Sequence, residues 1–281
     1  MKRKKRLPIF LLIIIFFILW TLWGNLTVGV TNYSVESSRI PESFDKFKIA
    51  VISDLHNAEF GKDNSDIVKK VKRENPDIIA ITGDFVDSNK TDIDLAVSLA
   101  KQLVEIAPCY YVMGNHEVWL FNRYEELQQK LIDVGVIVLR NEVVKITRNY
   151  ETIQIAGLDD PDYSNPDIYY HENILDKHIK EMNLTDDYCI LLSHRPETFS
   201  VYVENNIDLV LAGHAHGGQF RIPFVGGFYA PNQGRWPKYD AGKFTENLTT
   251  MIVSRGICNS IIPIRINNRP EILIVELVCD K

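Results

Sequence analysis

Five short polar clusters each follow an apolar run directly. Asp54-Leu55-His56 follows AVIS, Gly83-Asp84-Phe85-Val86-Asp87 follows IIAIT, and Gly114-Asn115-His116-Glu117 follows YYVM. His194 follows ILLS, and Gly213-His214-Ala215-His216 follows LVLA. Of the 7 histidines, only His171 and His178 lie outside these clusters, in a polar helical stretch that reads as solvated surface. Carboxylates and imidazoles without thiolates suit borderline divalent ions such as Zn, Mn or Fe. Asp84 stands midway along the chain between Asp54 and Asn115, where one carboxylate could bridge two ions. Two ions about 3.5–4 Å apart clamp the attacking and leaving oxygens of a phosphoryl displacement and supply hydroxide near neutral pH. There is no serine nucleophile elbow and no Cys/His dyad, so water is the expected nucleophile.

These clusters need elements that bring them to one edge. FKIAVIS (47–53), DIIAITG (77–83) and CYYVMG (109–114) are short apolar runs that predict strands. Between them, 64–75 and 91–106 have helical spacing, with Ser65 as one cap and Thr91 or Asp92 as the other; 124–135 predicts a third helix. Strands near 152–157, 188–193, 207–212, 249–254 and 271–278 and helices near 170–182 and 196–205 complete the pattern. Strands alternating with helices imply β-α-β units. In open α/β sheets, ligands bind just outside the strands' C-terminal ends, where all five clusters fall. The simplest organisation is one α/β domain over 46–281, two packed sheets with helices outside. In an extended backbone, residues two apart project to the same side, so His214 and His216 can face one site.

The chain has 281 residues, 46% hydrophobic and 24% charged, enough for a sizeable core. A net charge of −6 implies no general affinity for nucleic acid. The charge is uneven, with a basic run at 1–6, MKRKKR, followed by an uncharged apolar stretch that closes on Trp20 and Trp23. Counting the weakly polar continuation, 7–30 is long enough to span a bilayer. No clear cleavage site favours a signal peptide over a retained single-pass anchor. The positive-inside rule places the N-terminus in the cytoplasm and the catalytic body outside. Residues 31–45 read as a linker. Cys109 and Cys189 lie in apolar runs and read as core, although a disulfide is open for an exported body.

D-x-H, G-D-x-x-D, G-N-H-E, a lone His and G-H-x-H, in this order over 54–216, resemble the calcineurin-like metallophosphoesterase superfamily. The resemblance implies a four-layer α/β/β/α sandwich and two divalent ions as cofactors. It assigns Asp54, His56, Asp84 and His216 to one metal, and Asp84, Asn115, His194 and His214 to the other. His116 resembles the residue that steadies the phosphate or protonates the leaving oxygen. Asp87 and Glu117 are expected to orient the ligand histidines. GHAHGGQ and the N-terminal apolar stretch resemble a bacterial membrane-associated branch linked to UDP-2,3-diacylglucosamine hydrolysis or general phosphodiesterase activity. The implied substrate is a phosphorylated small molecule or a lipid-linked phosphate.

Two further stretches are open to either reading. GLDDPD is an Asp/Pro turn, or it brings Asp159 or Asp160 to the site. The segment 219–244 is a packed loop, or it forms an apolar wall or membrane-facing lip from Phe224, Phe228, Tyr229 and Trp236, with Arg221 and Arg235 available to phosphate. The glycines beside His214 and His216 allow a tight turn and leave room for phosphate.

Overall fold

The computed structural model describes residues 6–259 and 263–280, so the basic run at 1–6 lies outside the described residues except for Arg6. Helix α1 (Arg6–Leu26) leads into strand β1 (Gly29–Ser37) and then β2 (Lys48–Ile52), α2 (Ser65–Glu74), β3 (Ile78–Thr82) and α3 (Ile93–Val104). Next come β4 (Cys109–Val112), the short α4 (Asn115–Val118), α5 (Arg123–Asp133) and β5 (Ile137–Val138). The second half holds β6 (Glu142–Arg148), β7 (Glu151–Gly157), α6 (His171–Glu181), β8 (Tyr188–Leu192), α7 (Phe199–Glu204) and β9 (Leu209–Ala212). Two small hairpins follow, β10 (Arg221–Ile222) with β11 (Gly226–Gly227) and β12 (Tyr229–Ala230) with β13 (Gly234–Arg235). Strands β14 (Gly242–Glu246), β15 (Thr249–Val253) and β16 (Glu271–Cys279) close the fold.

The strands form two six-stranded sheets, ordered β1-β16-β2-β3-β4-β5 and β14-β15-β9-β8-β7-β6. Period-2 alternation sorts their side chains into three cores. Ile49 and Val51 of β2 meet Ile190 and Leu192 of β8 and Leu209 and Leu211 of β9 between the sheets. Ala50 and Ile52 face outward onto α2, α3 and α5, while Cys189, Leu191, Val210 and Ala212 face α6 and α7. This is the expected four-layer α/β/β/α sandwich. Its central strands bury both faces, which is why they read as continuous apolar runs. Cys109 and Cys189 are free and buried in these cores.

Three differences from the sequence expectation stand out. The stretch read as a linker, 31–45, contains most of β1, which pairs in parallel with β16 from Gly29↔Glu271 to Ser37↔Cys279. Its burial alternates, as expected for an edge strand whose polar face is solvated, so it lacks an apolar run. The apolar helix accordingly ends at Leu26 instead of continuing to 30. His171 is buried, with Nε2 3.0 Å from Asp162, where solvated surface was expected. At α3, Asp92 is the cap, its side chain accepting from the Leu95 N–H at 3.0 Å. Residues Pro8–Leu26 of α1 have a mean hydropathy of 2.4, and none of that stretch is buried against the body. It is long and apolar enough to cross a membrane.

Candidate metal centre

Asp54 and His56 follow β2, Asp84 follows β3, Asn115 follows β4, His194 follows β8, and His214 and His216 follow β9. All seven are buried. Five of these side chains hang from backbone in the left-handed region: Asp54 (φ 53°), His56 (43°), Asp84 (51°), His214 (64°) and His216 (47°). Such conformations cost non-glycine residues on the order of 1–3 kcal/mol each and collect at functional sites. Here they turn each chain sharply as it leaves its sheet, aiming consecutive polar groups inward.

Asp84 Oδ2 lies 3.4 Å from His56 Nε2 and 3.1 Å from His194 Nε2. His56 Nε2 is 3.3 Å from His216 Nε2, and His216 Nε2 is 3.5 Å from Asp54 Oδ1. His214 Nδ1 is 3.1 Å from His194 Nε2. The donors therefore form two groups, Asp54, His56, Asp84 and His216 in one and Asp84, His194 and His214 in the other, with Asp84 common to both. The surroundings set the tautomers. His194 Nδ1 meets the Thr82 carbonyl at 2.8 Å and His216 Nδ1 meets the Cys258 carbonyl at 3.2 Å. A carbonyl only accepts, so His194 Nδ1 carries a proton, and in both residues Nε2 is turned toward the cluster.

The electrostatics fit divalent cations. Burial pushes Asp54 up to about 6 and His56 down to about 4, and holds His214 and His216 well below the usual imidazole range. Burial opposes charge on His194 too, but Asp84 overrides it and raises this imidazole to about 10. The pocket thus favours positive charge between Asp84 and His194. Asn115 Oδ1 is buried without a hydrogen-bond partner among the described residues. An unmet buried acceptor costs about 1–3 kcal/mol, which a ligated cation would remove.

Glu117 acts differently from expectation. It hydrogen-bonds no histidine ring among the described residues. Its Oε2 accepts from the N–H groups of Asp84 (2.8 Å) and Gly114 (2.7 Å), and its Oε1 from those of Phe85 (2.7 Å) and Val86 (3.1 Å). One carboxylate therefore clamps the loops that carry Asp84 and Asn115. Asp87 lies 3.8 Å from both His56 Nδ1 and His116 Nδ1, too far for a direct hydrogen bond, and its Oδ1 accepts from Asn89 and Lys90 N–H. His116 Nδ1 accepts from the Ser88 N–H at 3.1 Å, so the neutral ring carries its proton on Nε2. A cavity of about 610 Å³ opens here, lined by His56, Asp87, Lys90 and His116.

The weaker candidates divide. Asp159 pairs with Arg140 at 2.6 Å and does not reach the cluster. Asp160 binds Arg195 through both oxygens, at 2.6 and 2.7 Å, and Arg195 Nη1 lies 3.2 Å from His214 Nε2. Arg221 is held by Asp240 and the Gly217 carbonyl, both at 2.9 Å, so it braces the histidine loop and is not free for phosphate. Arg235 sits exposed on β13, paired across the hairpin with Tyr229. The glycines make room for close approach of neighbouring protein. A Cβ on Gly213 would lie 1.8 Å from Ser53 Oγ, and one on Gly218, at φ +71°, would lie 2.4 Å from Gly227 Cα. Sequence reasoning missed Arg195 and Arg265, both buried beside histidines of the candidate cluster. Arg195 had a signal, since it directly follows His194.

Two facing sheets whose strand ends pool histidines and carboxylates around one shared aspartate define a metallophosphoesterase, a hydrolase of phosphoric ester bonds. A profile of the calcineurin-like phosphoesterase family matches residues 47–218, and the chain belongs to that family. It is 30% identical over 258 residues to the metallophosphoesterase YkuE of Bacillus subtilis, covering 89% of this chain and 85% of that protein. It is 29% identical over 239 residues to phosphodiesterase YaeI of Escherichia coli, covering 83% and 82%. A transmembrane protein with metallophosphoesterase domain from Bos taurus is 30% identical over 255 residues, 87% of this chain but 56% of that protein.

Proposed function

We propose that this chain is a membrane-anchored phosphodiesterase whose site holds two divalent ions, Mn, Zn or Fe. Asp54, His56, Asp84 and His216 hold one, and Asp84, Asn115, His194 and His214 hold the other. The observation that carries this reading is Asp84 Oδ2, placed between His56 Nε2 at 3.4 Å and His194 Nε2 at 3.1 Å. When bound, such ions supply Lewis-acid charge stabilisation and a water of lowered pKa. The chain's own groups do the rest. Glu117 fixes the loops of Asp84 and Asn115, so the donor geometry exists before substrate arrives. His116, its Nδ1 engaged by Ser88, presents a proton on Nε2 for the departing oxygen. Lys90 at the cavity wall meets phosphate charge.

A diester or pyrophosphate bond is favoured over a monoester, in keeping with the phosphodiesterase name of YaeI. The anchor favours a lipid-linked or envelope phosphate as substrate, with the N-terminus cytoplasmic and the catalytic body outside. Asp84→Ala or His214→Ala abolishes Mn-supplemented hydrolysis of an aryl phosphodiester. Wild-type rates in either variant would exclude the assignment. A reporter fused at the C-terminus tests topology, and activity of a cytoplasm-only reporter there would overturn the outside placement.

A further inference from the structure

The segment Ile264-Arg265-Ile266 connects the apolar helix, the metal site and an exposed hairpin. Its backbone is bound to the end of α1. The Arg265 N–H donates to Asn25 Oδ1 at 2.8 Å, and Asn25 Nδ2 donates to the Arg265 carbonyl at 2.8 Å. On its other side it pairs with the chain entering β10. Phe220 bridges Ile266 in parallel, the Arg221 N–H donates to the Ile266 carbonyl at 3.0 Å, and Gln219 Nε2 donates to the Ile264 carbonyl at 2.7 Å. The side chains alternate as extended backbone requires. Arg265 points inward, 1% exposed, with Nη2 3.4 Å from His216 Nδ1. Ile264 and Ile266 point outward, 42% and 49% exposed.

The adjoining hairpin extends this apolar edge with Ile222, Phe224 and Val225, of which Phe224 is fully exposed. Clustered aliphatic and aromatic side chains of this kind mark an interaction surface. The position of α1 says what covers it. Tryptophan favours the membrane–water interface, and Trp23 lies two residues before Asn25. At about 1.5 Å per helical residue, the bond to Arg265 is only about 3 Å along the axis from that ring. A cleft of about 290 Å³ lies between α1 and the body, walled by Trp20 and Trp23 on one side and Arg255, Arg265 and Arg269 on the other. The Arg269 guanidinium stacks 4.3 Å from the Trp23 ring centroid. Aromatic rings beside cations suit the level of anionic lipid headgroups.

We propose that Ile222, Phe224, Val225, Ile264 and Ile266 form a lip that docks on the bilayer face from which α1 emerges. The metal-site edge is thereby held against the headgroups through Arg265. This rests on the reading of α1 as a membrane anchor. The test uses the full chain in vesicles of phosphatidylcholine and phosphatidylglycerol with brominated acyl chains. An environment-sensitive fluorescent residue replaces Phe224 in one variant and Tyr150 in another. Tyr150 is fully exposed on the β6–β7 turn, at the end of β7 away from the site. Bromolipid should quench the probe at 224 about twofold or more and leave that at 150 unchanged, since interfacial side chains reach the acyl boundary. Hydrolysis of a water-soluble aryl phosphodiester should match wild type in both variants, showing an intact fold. Equal quenching at 224 and 150 overturns the lip. So does a probe at 224 shielded from both bromolipid and aqueous iodide, which would place a second protein copy there. A chain that does not float with the vesicles overturns the anchor and the lip together. A chain that floats with 224 unquenched overturns the lip alone.

Discussion

Adding a single methyl group at Gly213 tests how the histidine loop is held. Gly213 lies where β9 runs out beside the end of β2, and a Cβ there would fall 1.8 Å from Ser53 Oγ, 2.6 Å from Asp54 Oδ2 and 3.0 Å from Ser53 Cβ. Ordinary carbon contacts lie at about 3.5–4.0 Å, so the two strand ends must part by more than an ångström. Overpacking of this kind costs about 1–3 kcal/mol. In a domain of this size each kcal/mol lowers the melting midpoint by about 2–4 °C, so Gly213→Ala should melt about 2–12 °C below wild type. The same separation pulls Asp54 from the His214 N–H it accepts at 3.0 Å and from His216 at 3.5 Å. Bound metal, read by elemental analysis, should fall with the midpoint. Ser53→Ala removes the nearest clashing oxygen but leaves Asp54 Oδ2 in the way. In the double variant the midpoint should recover while metal content stays low. Wild-type melting and metal content in Gly213→Ala would refute the close-approach argument. Full recovery of both by Ser53→Ala would refute the role given to Asp54.

Glu117→Gln gives a second test, because an amide has one accepting oxygen where the carboxylate has two. Two of the four clamped N–H groups lose their acceptor, at about 1–3 kcal/mol each. Removing the charge offsets part of this, since burial and Asp84 push that carboxyl up to about 7. The expected outcome is a folded protein with metal loss and a rate at least about tenfold lower, the effect of ~1.4 kcal/mol at the transition state; unchanged metal affinity would sink the clamp. Chelation should lower the midpoint by roughly 5–10 °C, given about 2.7 kcal/mol of protection by a ligand at 100 times its Kd, and added Mn should restore it. No shift on chelation would mean the cluster holds no ion. His116→Asn should lower the maximal rate on a diester with a poor leaving group more than on an aryl diester, and equal losses on both would remove it as the proton donor.

What could be seen in the sequence follows from which forces leave local marks. Buried parallel strands such as β2, β3, β8 and β9 are continuous apolar runs, and the polar clusters stand directly after each, so the fold class and the candidate donors were visible together. Edge strands leave a fainter mark. β1 and β6 are edge strands that alternate between exposed and half-buried side chains, so β1 shows no apolar run and its polar half reads like a linker. Within the site, residue type was visible but the partner was not. Glu117 stands beside His116 in sequence, yet its acceptors are used by backbone N–H groups of a loop more than thirty residues earlier. Arg265 is the extreme case. Nothing in PIRIN distinguishes it, and its place beside His216 arises only because 264–266 is pinned between Asn25 and Arg221. The same pinning ties the end of α1 to the histidine cluster, a link that neither stretch announces alone. A motif scan finds residues that touch a metal. It does not find those whose position depends on two distant segments meeting, as that of Arg265 does.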